Sequence, residues 1–276
     1  MPELPEVETV RGTLRELVLG KKIKDVTILY KNIIKDSDID LFKKTLLDKT
    51  IKEISRKGKY LIFELDDDVC LISHLRMEGK YYFKDSEDEV VKHEHIIFHF
   101  DDNKTLRYHD VRKFGTMEIR KKSELFTTNP LNKLGMDANL VDRTYLKSKM
   151  SNKHMDLKSF LLNQEFIAGI GNIYADEICF LSGLNPKQDI YYLDDNDYEL
   201  ISKNSREVLE KAILAGGTTI RSYTSSLGVT GLFQLDLLVH TKEKKPCPNC
   251  GEAIIKIRVG GRGTYLCPTC QKIKNK

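Results

Sequence analysis

The chain has 276 residues, enough for one large or two ordinary domains with a substantial core. Charged residues make up 31% and hydrophobic ones 40%, an ordinary soluble balance. No apolar run approaches the roughly eighteen residues of a membrane span, and the first twenty positions carry several charges, which argues against a secretory signal. A cytoplasmic protein without a membrane segment is expected, and a monomer is the default. The net charge of +4 is unevenly placed: Val239–Lys276 holds nine Lys/Arg against two Asp/Glu, a local balance of +7, so the remainder sums to −3. A basic segment on a near-neutral body is the electrostatic footprint of a nucleic-acid binder, although a merely solubilising tail has the same composition.

The chain opens Met1-Pro2-Glu3-Leu4-Pro5-Glu6. Removal of Met1, which a small second residue favours, exposes a secondary amine at Pro2. An α-amino group titrates near ~7.7–8.0, against ~10.4 for lysine, so roughly a tenth of it is free base at neutral pH. Schiff-base chemistry at an electrophilic sugar carbon needs such an amine, and Glu3 sets a carboxylate beside it. A Met-Pro start alone is common, so the rest of the chain decides. Val7, Val10, Leu14, Leu17 and Val18 recur at helical spacing, with Pro5 in the first turn and Gly20 as the stop. The terminus is therefore expected to be anchored by a buried helix.

From about Lys22 to Arg120 the pattern becomes short β-like stretches: Ile23–Tyr30, Lys59–Leu65, Val69–His74, Lys80–Phe83, His95–Phe100, Thr105–His109 and Thr116–Arg120. Many short strands separated by turns predict an antiparallel sandwich or barrel. After Pro130 the pattern predicts helices over Asp156–Gln164, Asn172–Leu181 and Tyr198–Leu214, the last ending at Gly216-Gly217. In Gly169-Ile170-Gly171-Asn172, two glycines allow a tight turn into a helix whose N–H groups can hold a phosphate; alone, it is also an ordinary interhelical turn. Near the end, Cys247/Cys250 and Cys267/Cys270 form two C-x-x-C pairs with sixteen residues between them, the spacing of a four-thiolate structural zinc site on a hairpin. Cys70 and Cys179 lie in apolar surroundings and are expected to be buried free thiols.

Four segments then act together: Pro2-Glu3-Leu4-Pro5-Glu6-Val7-Glu8-Thr9, His74-Leu75-Arg76-Met77-Glu78-Gly79-Lys80, Asp110-Val111-Arg112-Lys113-Phe114-Gly115 and Gly169-Ile170-Gly171-Asn172-Ile173-Tyr174. With the terminal cysteines, they make the chain resemble the bacterial formamidopyrimidine-DNA glycosylases over essentially its whole length. The resemblance implies an α+β protein. Its expected parts are an N-terminal β-sandwich carrying the N-terminal helix over 1–132, a linker over 133–150, a helix–two-turn–helix domain over 151–236, and a β-hairpin zinc finger over 237–276.

It also implies a bifunctional enzyme acting on damaged double-stranded DNA. An oxidised purine, 8-oxoguanine or a formamidopyrimidine, is turned out of the duplex and excised, and the abasic strand is then cut by β,δ-elimination. Pro2 is the implied Schiff-base nucleophile and Glu3 the proton donor, with Glu6 in support. Lys59 matches a lysine that contacts the lesion-flanking phosphate and donates a proton in the elimination; by itself it is a charge at the start of a strand. Arg262, between glycines in Gly260-Gly261-Arg262-Gly263, matches the proton donor for δ-elimination and can fork onto a phosphate. His74, Lys158 and Asn172 look like phosphate ligands. Met77, Arg112 and Phe114 match side chains that fill the space left by the extruded nucleotide, and Glu78 matches a position near the flipped base. Residues such as Met77 and Phe114 are more often core, but Arg112 and Phe114 flank a turn ending in Gly115, which favours insertion.

The chain departs from the family pattern at His240, Thr241 and Lys244, which occupy the places where relatives commonly have Val-Tyr-Gly and a further glycine just before the finger. Ser159 stands where they often have proline. Thr218–Leu232 corresponds to a loop that covers the lesion. Two other readings remain open at this stage. One is an oxidised-pyrimidine enzyme of the endonuclease VIII type, disfavoured by Leu4 and Phe114. The other is a catalytically silent zinc-dependent DNA-binding protein, which retained Met1 would favour.

Overall fold

The computed structural model describes residues 1–217 and 236–274; the Thr218–Leu232 loop lies outside the described residues. Two compact units emerge. One is Met1–Asn132 together with Gly216 and Gly217; the other is Lys133–Ala215 with the described residues from 236 onward.

In the first unit, α1 (Leu4–Val18) begins with Glu3 as N-cap in a reciprocal capping box with Glu6. Val7, Val10, Leu14 and Val18 are fully buried at i, i+3 and i+4 spacing. There follow β1 (Ile23–Ile28), β2 (Ile34–Lys35), α2 (Ile39–Leu46), β3 (Ile51–Lys57), β4 (Tyr60–Leu65) and β5 (Val69–His74). The unit continues with β6 (Lys80–Asp85), β7 (Glu94–Phe100), β8 (Lys104–His109) and β9 (Thr116–Lys121). A four-stranded sheet runs β1-β7-β8-β6 and a five-stranded sheet β2-β9-β5-β4-β3. Val26, Tyr81, Phe98, Leu106 and Tyr108 from the first join Ile54, Leu61, Phe63, Leu71 and Met117 from the second in one core shared with α1. Each such side chain contributes about 1.5–3 kcal/mol when fully buried. The sandwich is antiparallel except for the two-residue β2–β9 pairing, which is parallel.

Three elements of this unit escape sequence reading: the two-residue strand β2, strand β3 and helix α2. Strand β3 carries a register shift between Ile51 and Glu53, so its inward residues Ile51 and Ile54 fall out of two-residue alternation. Helix α2 is a short amphipathic turn capped by Asp38, which accepts the Leu41 N–H.

The second unit holds β10 (Met136–Asp137), α3 (Arg143–Met150), α4 (Leu157–Leu162), β11 (Ile167–Ala168), α5 (Asn172–Leu181) and α6 (Asp195–Leu214). Its last elements, β12 (Ile255–Val259) and β13 (Arg262–Leu266), form an antiparallel hairpin. Residues 133–150, expected as a linker, are partly structured: α3 is capped by Asp142 and buries Leu146 and Met150. Its lysines and arginine hid that apolar face. Helix α6 starts three residues before the expected Tyr198 because Asp194 and Asp197 form a capping box. Among the described residues no helix is long and apolar enough to cross a membrane.

Thr241 and Lys244 both adopt left-handed backbone conformations, φ +64° each. Both lie among the places where the chain departs from the family pattern, and glycine adopts this conformation without strain. A β-branched residue is the poorer occupant of that region. Thr241→Gly should therefore stabilise the second unit by about 1 kcal/mol, the relief of strain exceeding the extra chain entropy of glycine. A denaturant midpoint that falls instead would contradict this.

Candidate nucleic-acid active site

In the first unit the proposed chemistry gathers around the amino terminus. Pro2, Glu3 and Glu6 are buried. The Glu3 N–H donates to Glu6 Oε2 at 2.8 Å, and the Glu3 carboxylate accepts the backbone N–H of Glu6. The two carboxylates thus fasten the residue before α1, giving Glu6 an anchoring role. Gly217, at φ +80°, packs over Glu6: a Cβ there would lie 3.0 Å from both Glu6 Cγ and Oε1. The terminal amine, carried here by Met1, has its pKa lowered. Burial is the main cause, the charges of Lys59 and Arg112 add to it, and Glu3 and Glu6 oppose it. Lys59 and Arg112 therefore share the terminus's electrostatic neighbourhood, which their sequence separation does not reveal.

Lys59 is held by two residues the sequence did not single out. Arg56 Nε donates to Glu8 Oε2 at 2.9 Å, and its Nη1 donates to the Gly58 carbonyl at 2.8 Å. This ties the β3–β4 turn, where Gly58 takes φ +56°, to α1. The pairing Tyr60↔His74 then brings the start of β4 beside the end of β5.

His74 is buried, with the Tyr60 ring edge-on at 4.5 Å between centroids. Its Nδ1 accepts the Arg76 N–H at 2.9 Å, so the neutral ring carries its proton on Nε2. Burial above all, then Arg76 and Lys59, push its pKa down to about 3. A phosphate reaching His74 would therefore meet a neutral N–H donor. An unfolded histidine takes up a proton near ~6.5, while the folded one resists until about 3. Its contribution to stability is therefore full above ~6.5 and shrinks as pH falls below it. Ring NMR signals should show the Nε2–H tautomer untitrated between about pH 8 and about pH 5; a midpoint near ~6 would refute the assignment.

Two turns connect the sheets at this end. Leu75–Gly79 joins β5 to β6 and Asp110–Gly115 joins β8 to β9. The registers His74↔Thr116 and Lys80↔His109 run them side by side. Met77 and Phe114 are exposed, 38% and 54%, and so are not core. The Arg112 guanidinium lies 5.0 Å from the Phe114 ring centroid. Glu78 is half-buried on the first turn.

The second unit assembles the other expected residues. Lys158 corrects its sequence reading: it is fully buried, and its ammonium donates to Asp176 Oδ1 at 2.7 Å, Thr264 Oγ1 at 2.8 Å and the Gly263 carbonyl at 3.1 Å. An ammonium has three N–H groups, and all three are engaged, so the side chain is not a free phosphate ligand. Instead it ties α4 to α5 and to the β12–β13 hairpin. Asn172, the first residue of α5, donates from Nδ2 to the same Gly263 carbonyl at 3.1 Å, while its buried Oδ1 has no partner among the described residues. Both residues hold the backbone next to Arg262, which is itself exposed. Gly260 approaches Ser159, whose Oγ donates to Asp156 Oδ2 at 2.8 Å, so the tip of the hairpin rests on the start of α4.

The base of the finger docks on α5. Glu177 accepts the N–H groups of Leu238, Val239 and His240 at 2.9, 3.0 and 2.9 Å. His240 Nδ1 lies 2.7 Å from Asp176 Oδ2. The departure at His240 is therefore a polar docking contact. The sulfurs of Cys247, Cys250, Cys267 and Cys270 all lie within 4.8 Å of one another, with Cys247–Cys270 at 3.8 Å and Cys250–Cys267 at 3.5 Å. A tetrahedral zinc with bonds of ~2.3 Å requires sulfur separations of about 3.8 Å. The four thiols fit one structural zinc ion. Cys70 and Cys179 are free and buried, and burial raises both thiol pKa values, Cys70 to about 11.

Comparison with known proteins agrees with this geometry. Residues 1–117 match the formamidopyrimidine-DNA glycosylase N-terminal domain, 134–224 its H2TH domain, and 244–273 the zinc finger found in FPG and IleRS. The chain is 47% identical to the formamidopyrimidine-DNA glycosylase of Oceanobacillus iheyensis over 99% of both chains. Among solved structures it is similar to Lactococcus lactis Fpg in complex with an abasic site containing DNA. That match has TM-score 0.92 and 41% identity, covering 98% of this chain and 99% of that one. A wild-type complex of the same protein with N7-benzyl-Fapy-dG containing DNA has TM-score 0.92 and 41% identity, covering 98% and 100%.

Proposed function

The chain belongs to the formamidopyrimidine-DNA glycosylase family, and from that premise we propose that it excises 8-oxoguanine and formamidopyrimidines from duplex DNA and then cleaves the abasic strand. The observation that carries this reading is the buried terminus, capped by Glu3 and Glu6 and sharing its electrostatic surroundings with Lys59 and Arg112.

Once Met1 is removed, the Pro2 nitrogen attacks the anomeric carbon, and the glycosidic bond breaks with its electron pair leaving on the base, which takes up the proton that the amine releases. Glu3 protonates the sugar oxygen as the ring opens, which leaves an iminium ion between Pro2 and the sugar. The iminium acidifies the neighbouring C–H. Loss of that proton expels the 3′ phosphate, and a second elimination expels the 5′ phosphate, with Lys59 and Arg262 supplying protons. Met77, Arg112 and Phe114 occupy the space of the extruded nucleotide, and Glu78 approaches the flipped base. His74, Asn172 and Arg262 bind phosphates. Zinc, held by the four cysteines, shapes the finger and takes no part in bond breaking. The protein acts as a monomer in the bacterial cytoplasm. Supporting this are bacterial relatives of equal length, the lack of a membrane-spanning helix among the described residues, and the presence of every family segment in one chain.

Cleavage of paired duplexes tests the substrate assignment. With 8-oxoguanine or a formamidopyrimidine opposite cytosine, excision should be about a hundredfold faster than with an oxidised pyrimidine, a gap of about 2.7 kcal/mol. The reverse ranking would assign the chain to the endonuclease VIII type of chemistry. Binding without any cleavage by a chain lacking Met1 would leave only a DNA-binding role.

A further inference from the structure

The two exposed turns share an anchor. Tyr108, on β8, is fully buried, and its hydroxyl lies between Gly79, which ends the Met77 turn, and Gly115, which ends the Phe114 turn. A Cβ on either glycine would collide with that hydroxyl. At Gly115 the Cβ would also lie 2.7 Å from Tyr108 Cζ, and at Gly79 2.6 Å from the Leu75 carbonyl oxygen. Neither glycine has a positive φ. Space, not backbone conformation, demands glycine at both positions, and the occupant of that space is one phenol.

The phenol donates to Asp110 Oδ2 at 3.4 Å. Asp110 is fully buried and organises the whole second turn. Its Oδ1 accepts the Arg112 N–H at 3.0 Å, its Oδ2 accepts the Gly115 N–H at 2.9 Å, and its carbonyl accepts the Lys113 N–H at 3.3 Å. The same carbonyl lies 2.8 Å from His95 Nε2, and the Asp110 N–H donates to the His93 carbonyl at 3.0 Å, which fixes the turn to the start of β7. The first turn is closed by the Gly79 N–H on the Leu75 carbonyl at 2.9 Å. Below, Tyr81 stacks edge-to-face on Tyr108, centroids 5.3 Å apart, and donates to Ser73 Oγ at 2.7 Å. Packing therefore fixes the ring, and the ring fixes the separation of the two turns.

We propose that Tyr108 and Asp110, which touch no substrate, are a positioning pair that sets the two turns against each other, so that Met77 and the Arg112/Phe114 pair enter the duplex as one unit. This rests on the reading that those side chains insert into DNA.

The test uses the full zinc-loaded chain without Met1. Its substrates are 8-oxoguanine duplexes carrying 2-aminopurine beside the lesion, and matching duplexes with a preformed abasic site. Asp110→Asn and Tyr108→Phe should slow the fluorescence step and single-turnover base excision by about tenfold, the scale of one or two lost buried hydrogen bonds. Cleavage of the preformed abasic site should fall less. Because the pair acts through the inserted side chains, Asp110→Asn in a Phe114→Ala background, and Tyr108→Phe in a Met77→Ala background, should add almost nothing. Additive losses, or equal losses on both substrates, would reduce the pair to ordinary core packing and overturn the proposal. If Phe114→Ala and Met77→Ala alone leave the fluorescence step unchanged, the insertion reading itself fails, whatever Tyr108 does.

Discussion

A chain that keeps Met1 is expected to bind lesion DNA yet form borohydride-trapped adduct and cut the strand only at a small residual rate. An amide nitrogen at Pro2 has no lone pair available for the anomeric carbon, and the Met1 amine that then ends the chain lies one residue further out and is not the ring nitrogen on which the proposed mechanism depends. Loss of the covalent route should cost about three orders of magnitude in single-turnover cleavage, about 4 kcal/mol at 1.36 kcal/mol per decade. Pro2→Gly restores an amine after Met1 removal, but a primary one on a looser backbone. It should be trapped more slowly than Pro2 and far faster than the blocked chain. The pH profile supplies a second check. In the structure the terminal amine, that of Met1, has its pKa lowered by burial above all, with Lys59 and Arg112 adding to it, and a Pro2 amine exposed in the same surroundings should be shifted in the same direction. Cleavage should therefore rise with pH through a midpoint below the ~7.7–8.0 of an ordinary α-amine. Undiminished cleavage by the Met1-blocked chain, confirmed intact by mass spectrometry, would remove the foundation of the proposed function.

The parts of the site that depend on covalent spacing were legible in the sequence. Two C-x-x-C pairs place four sulfurs on one hairpin whatever surrounds them, and they converge to within 4.8 Å. The helix behind Pro2 was readable because Val7, Val10, Leu14 and Val18 repeat at the helical period. The sheets were readable strand by strand but not in their order, since pairings such as β1 with β7 bridge some seventy residues.

What stayed hidden was the fate of individual polar side chains. Lys158 reads as a surface cation next to a helix start. Only the convergence of α4, α5 and the hairpin encloses it and gives it Asp176. Arg56 and Glu8 look like ordinary solvated charges, and it is their pairing across 48 positions that seats Lys59. In the sequence Asp110 is only the first residue of a motif, and Tyr108 is one more apolar position of a strand. That Gly79 and Gly115 are glycine for want of space and not for a left-handed backbone is visible only in the fold.

The buried ion pair in the second unit carries the largest expected effect on stability. Lys158 and Asp176 have no exposed side-chain surface, and Asp176 also faces His240 Nδ1 at 2.7 Å and the Tyr265 N–H at 3.3 Å. Breaking such a pair costs more than its presence contributes, because the survivor is left charged and dry. Asp176→Ala should destabilise the second unit by about 3–5 kcal/mol. Amide exchange on the full chain would locate the damage: protection should fall across α4, α5 and the β12–β13 hairpin and persist in the sandwich strands. Affinity for DNA and retention of zinc should fall together, since Gly263, beside Arg262, loses the tether that Lys158 supplies. Lys158→Met in the same background discriminates between a stranded charge and a merely missing contact. Removing the uncompensated ammonium should recover much of the loss, as apolar replacement of buried pairs commonly does. If the double variant is instead worse than Asp176→Ala, the lysine is making favourable contacts of its own. The electrostatic account of how this unit holds its finger would then be wrong.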